Sequence, residues 1–498
     1  MADGELPVAV LSEEVFVHLD VADVVACSQV CQDWLEASRS PGLWRRLHRI
    51  QYGGGSDPGA ATVEDLAVDW QRAAALAHQI TTRAGAVSLG MTGASVQHRS
   101  GATAAVLPPA FEATDPGAAG AGNCVVVLGG NSDGYALRPS ADLLDIGTGR
   151  TTAVDVPVFA DGAPPRYSSE VLGSWLQGCA VTAGRLFLFG GEGSNALWEL
   201  SALQTTRRPR ADVQPAENGA KFVPLGPPVA ASSPARWPPG RVGHTLVSKG
   251  GCLLCFGGRH TCTATQEKRL LNDLWRYDVA EGSWTELTPS GPAPPPRWCH
   301  SAAMLDVPDR MVIFGGWKYP DSVFMNDLFI FEVAANRYVR VETAGPLPSP
   351  RCQCTLFRLP RMQSMLVLFG GASHKDEQGF RNTAEAYGTV VVDLCDIWVL
   401  DLAAATWLRC AGAGQPVLRG GVNTHVRIHE GGPAETVLMI GGMHSDAGVH
   451  MPTFVGDVAA LSVNLMSPGG DADGIVVVPP HWRELGDNVC HYPQCKAQ

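Results

Sequence analysis

The sequence has no apolar run of eighteen residues, so it predicts no helix that could cross a membrane. Basic residues are also scarce: the chain has 37 Lys and Arg against 49 Asp and Glu. The net charge of −12 therefore does not indicate a nucleic-acid-binding protein. The first twenty residues carry Asp3, Glu5, Glu13, Glu14 and Asp20, so we expect no ordinary secretory signal. Fourteen cysteines in 498 residues are too sparse for a disulfide scaffold. We therefore expect a reducing compartment, the cytoplasm or the nucleus.

Glycine is abundant, and it recurs as a pair that ends a short apolar run. The 56 glycines and 36 prolines favour short strands and tight turns over long helices. No pair is followed by Lys-Ser or Lys-Thr, which a phosphate-binding Walker loop requires. Six copies of one signal at similar spacing instead predict a repeated structural unit. The copies are CVVVLGG (124–130), RLFLFGG (185–191), CLLCFGG (252–258), RMVIFGG (310–316), SMLVLFGG (364–371) and TVLMIGG (436–442), with first glycines 61, 67, 58, 55 and 71 residues apart.

The residues around each glycine pair indicate a unit of four short strands, a to d. Strand a often begins with Arg, as in RVGHTLVS (241–248), and strand b ends at the glycines. Strands c and d are joined by a turn that precedes an aromatic residue, as in DLWRYDVAEGSWTEL (273–287). The alternation of apolar residues predicts an antiparallel sheet, and radial stacking of such sheets would bury their faces. A β-carbon at the inner end of strand b would then collide with crowded neighbours, and the aromatic residue of strand d would fill the space between sheets.

The Arg-led strand, the glycine pair and the aromatic pair resemble the kelch repeat, at six places between about residues 95 and 485. The resemblance implies a mainly β fold, a six-bladed kelch-type β-propeller over residues 95–487, followed by a C-terminal tail at residues 488–498. Two segments could supply the strand that closes the ring: GAVSLGM (85–91) and GIVVVPPHWREL (474–485). An open ring would expose two sheet edges, and both alternatives stand at this point.

The amino-terminal segment has apolar residues at helical spacing. Asp20 is placed to cap a second helix, and Ser40 with Pro41 to open a third. Leu6-Pro7, SQVCQDW (28–34) and SPGLWRRL (40–47) resemble an F-box. The resemblance implies a small three-helix F-box module at residues 5–50, which docks on the Skp-family adaptor of cullin-based ubiquitin ligases. The implied adaptor contacts are Leu6, Pro7, Leu11, Val15, Leu19, Val24, Val30, Trp34, Leu43 and Trp44.

A small helical cap packed on the propeller is the alternative interpretation of this module. Residues 51–94 are predicted to be a linker, with a connecting helix at TVEDLAVDWQRAAALAHQI (62–80).

In a propeller, the b–c and d–a loops emerge on one rim, so we expect residues beyond each glycine pair to surround a common opening with the Arg of strand a. This substrate-binding rim is basic and aromatic, which suits an acidic or phosphorylated peptide. Each Arg could instead only brace the next blade. The predicted rim residues are Arg99, Asn131, Arg241, Arg259, His260, Arg297, Trp298, Trp317, Lys318, Tyr319, Arg351, His374, Lys375, Met443 and His444.

Catalytic and metal-binding patterns are weak throughout the chain. Cys252 and Cys255 point to opposite faces of a strand, and Cys352 and Cys354 share a face without a second pair. Cys490, His491 and Cys495 lie together near the carboxyl end but lack a fourth ligand. His244 and His300 recur at one repeat position, which indicates a structural role. We therefore predict no catalytic residue, no metal and no cofactor.

The sequence thus predicts a non-enzymatic substrate-recognition subunit of a Skp–cullin–F-box ubiquitin ligase. The F-box would bind the Skp-family adaptor and cullin, and the propeller rim would bind an unidentified target protein. A kelch scaffold that is not coupled to ubiquitination is the alternative, and a metal or small-molecule enzyme is a third hypothesis. No nucleic-acid or membrane partner is expected.

Overall fold

The computed structural model shows a small helical module and a mainly β region. No helix among its described residues is long and apolar enough to cross a bilayer. The described residues are 15–27, 32–52, 70–83, 86–96, 101–107, 124–130, 140–146, 148–155, 176–191, 194–203, 220–225, 237–262, 265–305, 309–318, 323–359, 362, 364–376, 379–381, 390–394, 396–411, 424–429, 435–444 and 453–463.

The helical module contains a short 3₁₀ turn and three helices, and a fourth helix follows. Asp20 accepts a hydrogen bond from the Asp23 amide at 2.7 Å, and Ser40 accepts one from the Leu43 amide at 3.5 Å. Both predicted caps are therefore confirmed. The elements are the 3₁₀ turn Phe16–His18, α1 (Val21–Cys27), α2 (Gln32–Ser38), α3 (Pro41–Gln51) and α4 (Trp70–Thr82).

The strands form six four-stranded antiparallel sheets, and each of the first five is built from consecutive units of the sequence. Sheet 1 contains β2 (Thr103–Val106), β3 (Cys124–Leu128), β4 (Ser140–Asp145) and β5 (Thr151–Asp155). Sheet 2 contains β6 (Gly178–Thr182), β7 (Arg185–Phe189), β8 (Leu197–Leu203) and β9 (Ala220–Pro224). Sheet 3 contains β10 (Thr245–Lys249), β11 (Cys252–Thr261), β12 (Lys268–Asp278) and β13 (Ser283–Leu287). Sheet 4 contains β14 (Ser301–Leu305), β15 (Arg310–Lys318), β16 (Val323–Glu332) and β17 (Arg337–Val341).

Sheet 5 contains β18 (Thr355–Arg358), β19 (Met365–Phe369), β23 (Ile397–Asp401) and β24 (Thr406–Arg409). Between its second and third strands, β20 (Ala372–Asp376), β21 (Gly379–Arg381) and β22 (Val390–Asp393) form a small separate sheet. Sheet 6 contains β25 (Thr424–His429), β26 (Glu435–His444), β27 (Thr453–Val463) and β1 (Val87–Ser95).

The first strands of the six sheets contact one another in cyclic order: β2, β6, β10, β14, β18, β25 and again β2. The chain therefore has a β-propeller arrangement, with strand a of each unit innermost.

The glycine pairs lie where the sequence predicted crowding. Gly257 and Gly258 have φ of +64° and +97°. A β-carbon on Gly258 would lie 2.9 Å from the His244 Cβ, a distance that real contacts do not show. The Gly258 amide also donates to the Arg297 carbonyl of sheet 4 at 2.8 Å. A larger residue would thus disturb both the local backbone and the contact with the next sheet.

Strand β1 settles which segment completes sheet 6. It pairs antiparallel with β27, with Val87 opposite Val463. The amino-terminal alternative is therefore correct, and residues 474–485 lie outside the described residues. The predicted boundary between linker and propeller at residue 95 was wrong, because residues 87–95 belong to this sheet.

Aromatic residues of the fourth strands fill the spaces between sheets, as predicted. Trp284 of sheet 3 packs on Phe189 of sheet 2, with ring centroids 5.0 Å apart. In the same way Trp407 of sheet 5 packs on Phe314 of sheet 4 at 5.1 Å.

Helix α4 fills the corresponding space between sheets 5 and 6, where the fourth strand, β1, has no aromatic residue. Its Leu76, Ala77 and Ile80 are buried among strands of both sheets. Ala74 of the same helix belongs to the core of the helical module. Because one helix contributes to both cores, it joins the module firmly to the propeller.

Candidate binding surfaces

The arginines that open strand a are buried, so Arg241, Arg297 and Arg351 are not rim residues. They are only 1%, 0% and 0% exposed. Each guanidinium would be costly to bury alone, and each is paired with a carboxylate of strand c in its own sheet. The prediction that these three line the rim was wrong. The alternative was right that they brace the fold, but their side chains brace their own sheet and not the next blade.

The three ion pairs share one geometry. Arg297 donates to both carboxylate oxygens of Asp327 at 2.7 and 2.8 Å, and to the Gly315 carbonyl at 2.9 Å. Arg241 with Asp273 and Arg351 with Asp396 repeat the arrangement. Each pair therefore ties strands a, b and c of one sheet together at the end that carries the glycines.

Burial alone would raise the pKa of Asp273 and Asp396, but hydrogen bonds and charge interactions with Arg241 and Arg351 outweigh it and hold each pKa below its usual value. Sequence reasoning missed these acids. The signal was present, because an Asp followed by an apolar residue recurs within strand c or directly before it, in DLWRYD (273–278), DLFIFE (327–332) and DIWVLD (396–401).

Four other predicted rim residues do come together, in a continuous stack that runs from sheet 3 across sheet 4 to the small sheet of β20, β21 and β22. The Arg259 guanidinium lies 4.5 Å from the Trp298 ring centroid, and Trp298 stacks on Trp317 at 5.2 Å and 24°. Trp317 meets the edge of Phe324 at 5.7 Å, and Phe324 stacks on His374 at 4.4 Å and 16°. We call these five residues the aromatic row. Phe324 was missed, because it follows the b–c turn rather than the glycine pair.

The row combines a buried base with partly exposed members. Trp298 and Phe324 are 6% and 3% exposed, whereas Arg259, Trp317 and His374 are half-buried. The buried rings hold the half-buried ones in place, so little conformational entropy would be lost if a partner bound here. Rigid aromatic residues and Arg of this kind dominate many protein interfaces.

The remaining rim residues are less informative. Half-buried His260 has its Nδ1 2.6 Å from the Gly240 carbonyl, and Lys318 is exposed at the end of β15. Arg99, Asn131 and Tyr319 lie outside the described residues, and for Lys375, Met443 and His444 the structure describes the backbone position in β20 and β26.

A cavity of about 490 Å³ lies among the inner strands, with walls that include Gln177, Thr245, Ser301 and Thr355. At its edge, five residues in left-handed conformation form a chain of amide hydrogen bonds from sheet to sheet: Gly101, Leu176, Gly243, Cys299 and Gln353. The Gly243 amide donates to the Leu176 carbonyl at 3.1 Å, and the Cys299 amide donates to the Gly243 carbonyl at 2.7 Å. The Gln353 amide in turn donates to the Cys299 carbonyl at 2.8 Å. Since Leu176, Cys299 and Gln353 hold φ of 61°, 54° and 55° without being glycine, this edge is a strained and closely defined part of the fold.

His244 and His300 pack between sheets, which supports the structural role predicted for them. The His300 Nε2 lies 3.0 Å from the Thr245 hydroxyl of the preceding sheet. Sheet 2 has Gly178 at the position equivalent to Thr245, and the His244 ring occupies the space of the missing side chain. Burial, followed by the charge of Arg241, lowers the pKa of His244 to about 3, so the imidazole is neutral.

In the helical module, Val24, Leu43 and Trp44 are 0%, 3% and 1% exposed and form its core. Because they have almost no accessible surface, the prediction that they contact the adaptor was wrong for this conformation. Val15, Leu19 and Trp34 are half-buried at the edge of that core. Leu6, Pro7, Leu11 and Val30 lie outside the described residues.

Among the residues that the structure describes, no group of three or more His, Cys, Asp or Glu side chains is arranged to hold a metal ion. Cys252 is half-buried and Cys255 buried, as opposite faces of a strand require. Cys352 and Cys354 are both buried, and Cys490, His491 and Cys495 fall outside the described residues.

Comparison with known proteins adds two family matches. Residues 4–50 match the F-box-like model, and residues 229–442 match the KLHDC2/KLHL20/DRC7 Kelch-repeats domain. The second match includes sheets 3, 4 and 5, which carry the Arg–Asp pairs and the aromatic row.

Among curated proteins, the chain is similar to an F-box/kelch-repeat protein of Arabidopsis thaliana, with 33% identity over 33% of this chain and 31% of the relative. It is 26% identical to a putative adagio-like protein 2 of Oryza sativa subsp. japonica, over 62% of this chain and 52% of the relative. It is 30% identical to dynein regulatory complex subunit 7 of Chlamydomonas reinhardtii, over 26% of this chain and 11% of the relative. The chain thus spans about half or less of the length of these relatives.

Proposed function

We propose that this chain, which joins an F-box-like module to kelch repeats, is the substrate-recognition subunit of a Skp–cullin–F-box ubiquitin ligase. In this proposal the six sheets are the six blades of a closed propeller. The observation that carries the proposal is helix α4, which is shared by the core of the F-box-like module and by the core between sheets 5 and 6. A receptor needs such a joint, because it must hold a target at a fixed position relative to the adaptor.

The adaptor would bind the half-buried edge of the module, where Val15, Leu19 and Trp34 are accessible. Trp34 also packs against Phe16, with ring centroids 5.6 Å apart, and is therefore held in one orientation. The buried residues Val24, Leu43 and Trp44 would act indirectly, by keeping this edge in shape.

The target would bind the aromatic row. Exposed Lys318 and the exposed hairpin residues Lys268 and Arg269 add positive charge near it, which suits an acidic or phosphorylated segment in a protein of net charge −12. The buried arginines contribute no such charge, since their carboxylate partners neutralise them. The aromatic row is therefore the main source of affinity, and the exposed cations act on association rate and specificity.

In this role the chain supplies proximity, and partner enzymes transfer the ubiquitin. Proteins that combine an F-box with kelch repeats are generally non-catalytic adaptors.

Two matched variants test the proposal in cells that express the tagged full chain. Trp34→Ala should lose co-purification with a Skp-family adaptor and keep its captured target proteins. Trp317→Ala should keep the adaptor and lose the targets. Retention of the adaptor by Trp34→Ala and by a chain lacking residues 1–50 would contradict the ligase assignment.

A second candidate is a kelch scaffold that is not coupled to ubiquitination, which the partial similarity to a dynein regulatory complex subunit favours. It predicts stable partners whose abundance does not rise when cullin activity is inhibited. A ligase receptor predicts that targets captured on the row accumulate under the same treatment.

A further inference from the structure

Strand β12 of sheet 3 has an outer edge that its neighbours cover only in part. Strand β13 pairs with it as far as Leu274, which lies opposite Leu287. The segment that leads into sheet 4 covers the next residues, since the Arg297 amide donates to the Leu271 carbonyl at 3.1 Å. Beyond this point residues Lys268–Leu270 continue the strand, and among the described strands they pair only with β11. We call Lys268–Leu270 the free edge.

The hydrogen bonds of β11 show that backbone groups of the free edge point outward. On the other side of β11, the Arg259 amide donates to the Val242 carbonyl at 2.8 Å and the Val242 amide donates to the Arg259 carbonyl at 3.0 Å. Arg259 and Leu270 are therefore opposite each other without mutual hydrogen bonds, and the amide and carbonyl of Leu270 point away from β11. Lys268, which lies opposite Thr261, has the same orientation. Among the described residues, no hydrogen bond satisfies these groups of Lys268 and Leu270.

The free edge lies next to the aromatic row. Leu270 is directly opposite Arg259, the first member of the row, on the neighbouring strand. The Leu270 side chain packs against the same buried cluster as Trp317, and this cluster includes Trp298 and Phe324. A strand that pairs with the free edge turns every second side chain to this face. Such a strand is therefore held by backbone hydrogen bonds at the edge and by side-chain contacts near the row.

The charge of the free edge determines which kind of strand fits. Lys268 and Arg269 are both exposed. An open edge invites pairing with other chains, and exposed basic residues make that pairing selective. A second copy of the same edge would bring like charges together, whereas an acidic residue opposite Arg269 forms a favourable cross-strand pair. The face of Leu270 suits apolar side chains, because Leu270 packs on an apolar cluster. The fitting partner is thus an extended segment in which acidic and apolar residues alternate.

We propose that the target binds as an extended strand that pairs with the free edge of β12, with an acidic residue opposite Arg269 and apolar residues opposite Lys268 and Leu270. Main-chain hydrogen bonds supply much of the affinity, and the contacts of the apolar residues beside the row select the sequence. The target therefore contributes one extended segment and needs no folded epitope. This inference rests on the proposed function only in assuming that a target binds at the aromatic row.

Synthetic peptides of alternating Glu and Val test the backbone pairing on the full chain. The amides of Lys268 and Leu270 should exchange hydrogen rapidly in the free protein, and about tenfold or more slowly when the peptide is bound. The Arg269 amide, which points to β11, serves as the internal reference.

Methylated peptides provide the matched control. A peptide with N-methylated Val amides should lose binding, because those amides face the edge. The same number of N-methyl groups on the Glu amides should be tolerated, because those amides face solvent. Equal binding of the two methylated peptides, or no binding of the parent peptide, would overturn the proposal.

Two variants at one position separate the backbone from the charge. Lys268→Ala and Lys268→Pro both remove the charge, but only the Pro variant also removes the outward amide hydrogen. Pro is tolerated at such an edge position, since β11 does not use this amide. Lys268→Pro should therefore bind the alternating peptide about fivefold or more weakly than Lys268→Ala, measured by fluorescence anisotropy. Equal affinities of the two variants would contradict strand pairing.

Two further outcomes concern other occupants and the proposed function. If protection of the Lys268 and Leu270 amides rises with protein concentration in the absence of peptide, a second copy covers the edge and the proposal is wrong. Adaptor co-purification is measured separately, with Trp34→Ala. If the peptide protects the edge but the adaptor is not retained by the unaltered chain, the ligase assignment fails and the strand pairing stands.

Discussion

Sheets 3 to 5 and sheet 2 solve the same structural problem with different chemistry. In sheet 3, Arg241 reaches the Gly257 carbonyl at 3.0 Å and is neutralised by Asp273. In sheet 2 an uncharged side chain, Gln177, reaches the equivalent Gly190 carbonyl at 3.1 Å. The glycine carbonyl at the end of strand b is satisfied in both cases, and within the described part of the chain a buried ion pair does this in sheets 3 to 5.

The difference indicates where the propeller is built most rigidly. The Arg–Asp pairs join strands a, b and c in each of sheets 3, 4 and 5. The aromatic row takes its members from sheets 3 and 4 and from the small sheet that is inserted in sheet 5. A binding surface gains from a base that does not move, since less freedom is then lost on binding. If the aromatic row binds a target as proposed, the ion pairs of sheets 3 to 5 would support it.

The largest difference in stability between sheets 3 to 5 and sheet 2 should appear when one charge of a buried ion pair is removed. Arg297→Leu leaves Asp327 with an uncompensated charge and should lower the free energy of unfolding by about 3–5 kcal/mol. Arg185→Leu, which removes the partly exposed pair with Glu199 in sheet 2, should cost less than about 1 kcal/mol. Urea denaturation measures both changes, and equal costs would contradict the assigned role. Arg297→Leu/Asp327→Leu should recover much of the loss, because no charge then remains buried.

Substitutions in the glycine pairs should destabilise sheet 2 and sheets 3 to 5 by similar amounts. The difference between these sheets then lies in the ion pairs and not in the glycines. A β-carbon would lie 2.5 Å from the Arg241 carbonyl at Gly190, and 2.7 Å from the Arg351 carbonyl at Gly315. Gly190→Ala and Gly315→Ala should each destabilise the fold by roughly 2–4 kcal/mol, through backbone strain and overpacking. Gly184→Ala has φ +70° but open space around it, so it should cost only about 1 kcal/mol in thermal unfolding. A cost at Gly184 equal to that at Gly190 would show that crowding is unimportant.

His300 and His244 occupy equivalent positions at two contacts between sheets. His300 of sheet 4 contacts sheet 3, and His244 contacts Gly178 of sheet 2. His300→Leu removes the hydrogen bond to Thr245 and should cost about 1–2 kcal/mol. His244→Leu should cost close to nothing, because neither ring nitrogen of His244 has a hydrogen-bond partner among the described residues. Thr245→Val should match His300→Leu, and the double variant should cost less than the sum. Denaturation midpoints of the four variants check this, and a larger loss at His244 would contradict it.

Low pH should lower the stability of the fold through His244, which lies between sheets 2 and 3. The pKa of His244 is about 3 in the folded chain, below its ordinary value, so the unfolded chain takes up the proton first as the pH falls. Stability is lost in the window from about pH 6.5 down to about 3, and this one group contributes about 1 kcal/mol between pH 7 and 5.5. His244→Leu should flatten the dependence by that amount, measured as the free energy of unfolding at the two pH values. An unchanged dependence would show that the imidazole is not buried as described.

The repeat architecture was predictable because its signals recur. Six glycine pairs and the aromatic residues of strand d report one geometric constraint several times, and the structure places them accordingly. The aromatic row was largely predictable too, since Trp298 and Trp317 directly follow recurring positions. Phe324 was not, because which turn residue folds back onto Trp317 depends on the register of β15 and β16, with Trp317 opposite Phe324.

Burial was the property that the sequence did not determine. An Arg at the start of a strand can face solvent or an acid, and only the approach of Asp273, Asp327 and Asp396 decides between them. For the same reason Trp44 and Trp34 looked equivalent in sequence, although one is in the core and the other at its edge. The sequence also did not decide which distant segments pair, since it offered two candidates for the strand that completes sheet 6.

The pairing of β1 with β27 has a consequence for synthesis on the ribosome. Val87 emerges first and must wait for Val463, 376 residues later, before sheet 6 can form. At about 5–20 residues per second this delay is roughly 20 to 75 seconds. During that time the early strand is an unpaired edge, exposed to association with other chains, and we expect chaperone contacts of the nascent protein to concentrate there.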